Sequence, residues 1–194
     1  MDLEKAKETL GGSFSFTAGD INRVVQGLSL NKKAKILDAG TGVSNMAIVL
    51  ALNGYSVITG EPQSDESEYA KQDWFNNSKK VGVQHLIEFK HFDAQDTKFE
   101  SSTFGAIFFL GTFHHIDKDL RVEVFQESIR ISKPNAVICF FEPNQKCMEI
   151  ILPNHPNHPE VADPREYSQG LDLSFQHKPG DFFDAYIFHK NSAA

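Results

Sequence analysis

Short apolar runs alternate along the chain with segments in which apolar residues recur every three or four positions. The runs have the length of strands, and the segments between them have the spacing of one helical face. We predict strands over 35–39, 55–60, 87–92, 105–110 and 136–141. Because helices that connect apolar strands cross over the face of a sheet, this alternation predicts a parallel sheet covered by helices.

Capping residues and glycines set the predicted helix boundaries. Asp20 is predicted to cap the first helix, and Gly54 to end the helix that follows the first strand. A polar helix is predicted over 65–80. A further helix is predicted to begin at Asp117 and to stop before Lys133-Pro134-Asn135.

The last part of the chain has a different pattern, with two strand-like runs joined by a turn and no helix between them. Two runs at 171–176 and 183–189 flank Lys178-Pro179-Gly180-Asp181, whose proline and glycine favour a turn, so we predict an antiparallel hairpin. The preceding segment, 152–165, holds four prolines and is predicted to be a surface loop.

The length and composition of the chain predict a single domain. The chain has 194 residues, of which 40% are hydrophobic, and nothing divides it into two parts of viable size. We therefore expect a single domain over 1–194, with an N-terminal helical segment over 1–34 and a core over 35–194. Phe14 and Phe16 are expected either to form a flap over the site or to plug the core from outside.

The net charge and the lack of recognisable targeting signals limit the partners and the location that we expect. The formal net charge of −7 opposes binding to the nucleic acid backbone, which needs clustered Lys and Arg. The N-terminus lacks a basic region followed by an apolar one, and no apolar run approaches the ~18 residues of a membrane span. We expect a cytoplasmic protein. Cys139 is expected to be a buried hydrophobe, and the cysteine spacing predicts no disulfide framework.

The strongest chemical signal is a glycine loop. Asp38-Ala39-Gly40-Thr41-Gly42 follows the first strand, and Glu61 closes the second strand about twenty residues after the first glycine. Closely spaced glycines let the backbone approach a ligand, and a carboxylate at that distance accepts ribose hydroxyls. A carboxylate buried at a strand end, as expected for Asp38, needs hydrogen bonds from the loop or from a ligand. The pattern predicts a nucleoside site.

These residues resemble the class I S-adenosylmethionine-dependent methyltransferases over about 35–190. The resemblance rests on four motifs in order, which are Asp38-Ala39-Gly40-Thr41-Gly42 with Glu61, Phe92-Asp93-Ala94, Phe109-Leu110-Gly111-Thr112-Phe113-His114-His115-Ile116, and Arg130-Ile131-Ser132-Lys133-Pro134. The third motif is similar to that of small-molecule enzymes such as the quinone-biosynthesis C-methyltransferases. The resemblance implies an α/β fold, a Rossmann-like three-layer sandwich with a seven-stranded, mostly parallel sheet and an antiparallel C-terminal hairpin.

The resemblance also implies a cofactor and its site. S-adenosyl-L-methionine is expected as cofactor and S-adenosyl-L-homocysteine as its product. The expected cofactor-binding residues are Asp38, Gly40, Gly42, Glu61, Pro62, Asp93, Ala94, Leu110 and Gly111. The family pattern implies that Glu61 holds the ribose and that Asp93 faces the adenine amino group. Ser44 stands where a third glycine often occurs, and Gly105 replaces the usual Asp after Phe104.

The expected reaction is in-line transfer of a methyl group from a sulfonium to a small-molecule acceptor, which depends on positioning more than on a catalytic triad. His114 and His115 are candidate general bases. The alternative is that one packs and the other touches cofactor or water. His155 and His158 are spaced closely enough to share a metal, but no Cys or acid completes a tetrahedral set, so no metal site is predicted.

The acceptor is the least specified part of the prediction. The insertion over 143–167 is small, which favours a small or accessible acceptor, or a pocket completed by the second subunit of a homodimer. Two alternatives stay open. One is a non-catalytic protein that binds S-adenosylmethionine or S-adenosylhomocysteine. The other is an NAD-dependent oxidoreductase, against which stand Asp38 before the first glycine and the predicted terminal hairpin.

Overall fold

A computed structural model describes residues 1–68 and 70–190. Its sheet has seven strands, namely β1 (Ile36–Ala39), β2 (Val57–Glu61), β3 (Ile87–His91), β4 (Phe104–Leu110), β5 (Ser132–Pro143), β6 (Leu173–Lys178) and β7 (Phe183–Lys190). The strand order is β3-β2-β1-β4-β5-β7-β6. Strands β1 to β5 are parallel, whereas β7 is antiparallel to both β5 and β6. The predicted fold class and terminal hairpin are confirmed.

The strand order places a cleft beside β1. Because β2 lies on one side of β1 and β4 on the other, the chain reverses its direction of winding there. Such a switch point opens a ligand crevice at the carboxyl ends of the strands. The antiparallel insertion of β7 between β5 and β6 distinguishes this sheet from the all-parallel order of dinucleotide-binding domains.

Helices cover both faces of the sheet. They are α1 (Leu3–Leu10), α2 (Gly12–Gly27), α3 (Asn45–Leu52), α4 (Trp74–Lys80), α5 (Arg121–Ile131) and α6 (Gln145–Ile151). Alternate residues of β4 enter two separate apolar cores, because successive strand side chains point to opposite faces. Phe108 packs in the core with α2 and α3, and Phe109 packs in the core that includes Phe125 of α5. No helix among the described residues has the length and apolarity needed to cross a membrane.

Three predicted helix boundaries are wrong. The first described long helix, α2, begins at Gly12 and not at Asp20, because Phe14 and Ile21 lie on one continuous buried face. Within the predicted helix over 65–80, only Trp74–Lys80 is helical. The polar residues before it include an Asx turn, in which the N–H of Ser67 donates to the side chain of Asp65, and Tyr69 lies outside the described residues.

The helix expected at Asp117 is preceded by a short 3-10 turn, Lys118–Leu120, and α5 itself begins at Arg121 without a side-chain cap. Strand β5 is also longer than predicted. Its pairing with β4 shifts register between Phe104 and Ala106, and Asn135 takes a φ of 62° within that irregular stretch. The predicted strand over 136–141 is the regular part of β5.

Asp20 has a different role from the predicted cap. Its carboxylate accepts three hydrogen bonds of 2.8 to 3.1 Å from the backbone N–H groups of Asp181, Phe182 and Phe183, in the turn that begins β7. This contact fixes α2 to the terminal hairpin. Phe14 is buried in the core, and the half-exposed ring of Phe16 packs edge-on against Phe182.

Candidate functional site

A cavity of about 890 Å³ lies at the carboxyl ends of β1, β2, β4 and β5, where the strand order predicts a ligand crevice. Ten residues that the sequence singled out line it together, namely Gly40, Gly42, Glu61, Pro62, Asp93, Ala94, Leu110, Gly111, His114 and His115. Asp38 is the one predicted cofactor residue that does not line the cavity. Residues from α2, from α6 and from the loop after α6 complete its walls, among them Thr17, Ile151 and His158.

The glycine loop needs both of its glycines for different reasons. Gly40 has a φ of +98°, and a Cβ there would lie 2.2 Å from Oγ1 of Thr112, so the loop approaches the segment after β4 too closely for any side chain. Gly42 has a φ of +47° and faces open space. Ser44, which stands where a third glycine is common, also takes a left-handed conformation, with a φ of 73°.

Glu61 links the end of β2 to this loop. Its Oε1 accepts a 2.6 Å hydrogen bond from the backbone N–H of Gly42. The side chain is buried, and burial raises the pKa of Glu61 while the Gly42 bond acts against that shift. A carboxylate has about four acceptor sites, so a ribose diol can be accepted in addition to this bond.

Asp38 lies beneath the loop at the end of β1. It is fully buried, and its Oδ2 accepts a 2.9 Å hydrogen bond from Oγ1 of Thr59, which lies 3.0 Å from Oγ1 of Thr41 in the loop. Burial raises the pKa of Asp38 to about 8. The carboxyl group is therefore joined to the cavity through two threonines and does not reach the cavity itself.

Asp93 and Ala94 line the cavity from the segment after β3, and Leu110 and Gly111 line it from the end of β4. Asp93 is exposed, and its carbonyl accepts a 3.0 Å hydrogen bond from the N–H of Asp96, which closes a tight turn. Gly111 has a φ of 60°, and its N–H donates to the carbonyl of Phe141 on β5. The two segments lie on opposite sides of the glycine loop.

His114 forms a buried pair with Glu142, an acid that the sequence reasoning missed. Nδ1 of His114 lies 2.7 Å from Oε2 of Glu142, and Nε2 has no hydrogen-bond partner among the described residues. Burial lowers the pKa of His114 to about 4 and raises that of Glu142 to about 8, so both groups favour the neutral form. Glu142 ends an apolar strand, the same signal that drew attention to Glu61.

Arg121 holds the polypeptide that carries the two histidines. Its guanidinium is buried and donates to the carbonyls of Ile116 and His114, at 2.9 and 3.0 Å, and to the hydroxyl of Tyr167 at 2.9 Å. It also stacks at 5.6 Å over the ring of Phe113. Because no simple spacing connects Arg121 with these partners, the sequence gives no sign of this role.

A third imidazole, that of His158, joins His114 and His115 from the loop after α6. The ring centroids are 4.3 Å apart for His114 and His115, 5.0 Å for His114 and His158, and 5.1 Å for His115 and His158. Although His115 is exposed as a residue, desolvation of its ring and, next, the neighbouring imidazoles of His114 and His158 together lower its pKa to about 4. His155, the other predicted neighbour of His158, lines the cavity outside this cluster.

Comparisons with known proteins agree with this geometry. A family model described as "Methyltransferase domain" matches residues 37–140, which is more than half of the chain. A curated relative, "Sterol methyltransferase-like 3" of Botryococcus braunii, is 26% identical over 120 residues. The aligned part is 62% of this chain but only 29% of that protein, so the chain spans less than a third of the relative's length.

Solved structures share the fold. A proposed S-adenosyl-L-methionine-dependent methyltransferase from Methanococcus maripaludis has a TM-score of 0.70 and 14% identity, and the match covers 100% of this chain and 95% of that one. A proposed sarcosine dimethylglycine methyltransferase from Galdieria sulphuraria has a TM-score of 0.65 and 13% identity, with 91% and 86% of the two chains covered. At these identities the likeness shows the fold alone.

Proposed function

The chain belongs to the methyltransferase domain family, with the class I fold whose cofactor is S-adenosylmethionine, and on that premise we propose that it transfers a methyl group to a small-molecule acceptor. The observation that carries the proposal is the convergence of ten predicted site residues on one cavity at the switch point of the sheet. These residues come from four separate segments of the sequence, so their meeting there is a property of the fold.

The residues present fit this cofactor. The cradle formed by Gly40 and Gly42 is open on the side of the cavity, because a Cβ at Gly42 would meet nothing within 4 Å. Glu61 supplies a carboxylate for the ribose hydroxyls, and Asp93 supplies one for the adenine amino group. Leu110 and Gly111 form the opposite wall. Asp38 would act by holding the loop through Thr59.

S-adenosylmethionine supplies, when bound, a methyl group made electrophilic by the positive charge of its sulfonium. The chain's own contribution is to hold the acceptor in line and to exclude water. His114 and His115 line the same cavity as the cofactor residues. Both imidazoles are neutral at pH 7, but their lowered pKa values make them weak bases, so we assign them first to acceptor positioning.

Three observations support a small acceptor over a nucleic acid. The cavity of about 890 Å³ is enclosed on one side by α6 and its following loop, which suits a compact molecule. The net charge is −7, which disfavours a polyanion. The curated relative described above carries a name that refers to sterols, which are small molecules.

We also propose that residues 1–194 act as one domain in the cytoplasm. Residues of α1 and α2 share a core with α3, so the N-terminal segment is part of the same packing. A homodimer remains a further proposal. It is supported by the exposed apolar side chains of Ile150 and Leu152, which flank the cavity-lining Ile151.

The proposal is tested with S-adenosylmethionine labelled in its methyl group. The purified chain is incubated with separate sets of sterols, secondary amines, phenols, peptides and RNA, and labelled product and S-adenosylhomocysteine are both measured. We expect equal amounts of product and S-adenosylhomocysteine with at least one class of small molecule. Transfer to RNA or peptide alone would contradict the small acceptor, and cofactor binding without turnover in any set would favour the non-catalytic alternative.

A further inference from the structure

The cluster of His114, His115 and His158 has the composition of a metal site. One ring nitrogen from each residue lies within 4.8 Å of the nitrogens of the other two. We propose that these three imidazoles bind a first-row divalent transition metal, with Zn²⁺ as the ion that best fits their chemistry. The proposal goes beyond methyl transfer, because metal binding is measured without cofactor or acceptor.

His114 is oriented as a metal ligand needs to be. Its Nδ1 is engaged with Glu142 at 2.7 Å, which leaves Nε2 as its ligand atom. That nitrogen is buried without a hydrogen-bond partner among the described residues, in a side chain that is only 2% exposed. A buried polar atom with no partner is costly, and a metal ion would satisfy it. A carboxylate behind a ligating histidine is the usual second partner of that ring.

The hydrogen bond of His158 identifies the ring nitrogen that is available to a metal ion. Its Nδ1 lies 3.0 Å from the carbonyl oxygen of Pro159, and because a carbonyl can only accept, Nδ1 donates its hydrogen there. Nε2 of a neutral His158 is therefore the unprotonated nitrogen.

The ligand set points to zinc and to an open coordination position. Three imidazole nitrogens are a familiar set for Zn²⁺, which takes a fourth ligand from water or substrate. In a tetrahedral site with Zn–N distances of about 2.1 Å, ligand atoms are roughly 3.4 Å apart, so nitrogens that lie within 4.8 Å of one another have to approach by about 1.4 Å at most. His158 lies in a segment outside helix and strand, where such a shift disturbs no ladder hydrogen bonds. All three histidines line the cavity that the cofactor residues share, so a fourth ligand, water or substrate, would reach the ion from that cavity.

The experiment is a calorimetric titration of the chelator-treated chain with Zn²⁺ alone, repeated for His115→Ala, His158→Ala and His155→Ala. His155 is the matched control, since it lies on the same loop and lines the same cavity but is outside the cluster. We expect one site with a Kd of about 1 µM or below in the wild type, at least tenfold weaker binding in the first two variants and unchanged binding in His155→Ala.

Cobalt provides a second readout that does not depend on the heat of binding. Addition of Co²⁺ should produce visible absorption bands of tetrahedral cobalt in the wild type and in His155→Ala, and these bands should be lost in His158→Ala. Each variant is checked by its far-ultraviolet circular dichroism, so that loss of binding is separated from loss of fold. Absence of stoichiometric binding in the wild type, or an equal loss in His155→Ala and His158→Ala, would overturn the site. The proposed methyl transfer would not be affected by that result.

Discussion

The carboxylate of Glu61, at the end of β2, accepts a 2.6 Å hydrogen bond from the backbone N–H of Gly42 in the loop after β1. A single side chain therefore both shapes the glycine loop and faces the cavity in which the cofactor is proposed to bind. The two positions are 19 residues apart in the sequence, and they lie at the carboxyl ends of neighbouring parallel strands, Glu61 as the last residue of β2 and Gly42 in the loop after β1. This contact makes the glycine loop and the side chain of Glu61 one structural unit.

Removal of the charge at Glu61 should weaken cofactor binding. We expect Glu61→Gln to raise the Kd for S-adenosylhomocysteine about ten- to a hundredfold, because a hydrogen bond to a charged group contributes about 1.5–3 kcal/mol. The measurement is a calorimetric titration at constant salt. Glu88→Gln is the control, since Glu88 is an exposed acid on the adjacent strand β3 and does not line the cavity. Equal effects of the two substitutions would contradict the assigned role of Glu61.

Gly40 should not tolerate alanine. The added Cβ would lie 2.2 Å from Oγ1 and 2.8 Å from Cγ2 of Thr112, at a φ of +98°. We expect Gly40→Ala to displace the loop and to lose at least tenfold in cofactor affinity. Gly54→Ala is the control for the effect of backbone strain without a steric clash, because Gly54 has a φ of +81° but open space around it. That control should lower the free energy of unfolding by about 1 kcal/mol, which appears as a slightly lower melting temperature, and should leave the affinity unchanged.

Asp20 should stabilise the fold without affecting the cavity chemistry. Substitution by alanine leaves the N–H groups of Asp181, Phe182 and Phe183 without their acceptor, which should cost about 2–4 kcal/mol in the free energy of unfolding. The check is urea denaturation followed by circular dichroism. Asp181→Asn removes only an exposed ion pair with Arg23 and should cost less than about 0.5 kcal/mol. A loss for Asp20→Ala as small as that of the control would show that the three bonds contribute little.

Glu127 should make the protein sensitive to acid. Its hydrogen bonds with Arg130, and next those with Thr97, hold the pKa of Glu127 at about 2, below its usual 4.5. A carboxyl group whose pKa falls on folding stabilises the protein above its unfolded pKa, and this contribution is lost as the pH falls from 4.5 through 2. Because Arg130 is 41% exposed, solvent screening limits the effect to about 1–2 kcal/mol.

The acid dependence is measured from the unfolding free energies of the wild type and of Glu127→Gln between pH 7 and pH 2. The difference between them should be largest above pH 5 and should shrink as the pH falls. Glu123→Gln, on the exposed side of the same helix, is the control and should show a small difference at every pH. If the difference in unfolding free energy between the wild type and Glu127→Gln does not change with pH, the assigned contribution of ionised Glu127 to stability is contradicted.

The sheet and the meeting of the singled-out residues at one cavity could be predicted because their signals are local. Each strand is an apolar run, and the glycines, Glu61 and Asp93 all stand at strand ends, where parallel strands bring them to one edge. The start of α2 could not be predicted in the same way, because Gly11, Gly12 and Gly19 are weak helix formers. The buried face that runs from Phe14 to Val25 stabilises that helix and outweighs the intrinsic preference.

The histidine cluster could not be predicted because its members are distant in sequence. His158 lies 43 residues after His115, and no spacing rule joins them. His155 was the expected partner of His158 by proximity, but the loop after α6 directs His158 to the other two rings and leaves His155 outside. Glu142 was missed because the length of β5 was underestimated, which left the last residues of the strand out of consideration.

The central claim, that the cavity beside β1 holds S-adenosylmethionine, is tested most directly by calorimetric titration of the chain with S-adenosylmethionine, S-adenosylhomocysteine and NAD in parallel. We predict stoichiometric binding of the first two, abolished or strongly weakened in Gly40→Ala, and no binding of NAD. Binding of NAD alone, or of none of the three, would contradict the account of the glycine loop and of Glu61 on which the proposed function rests.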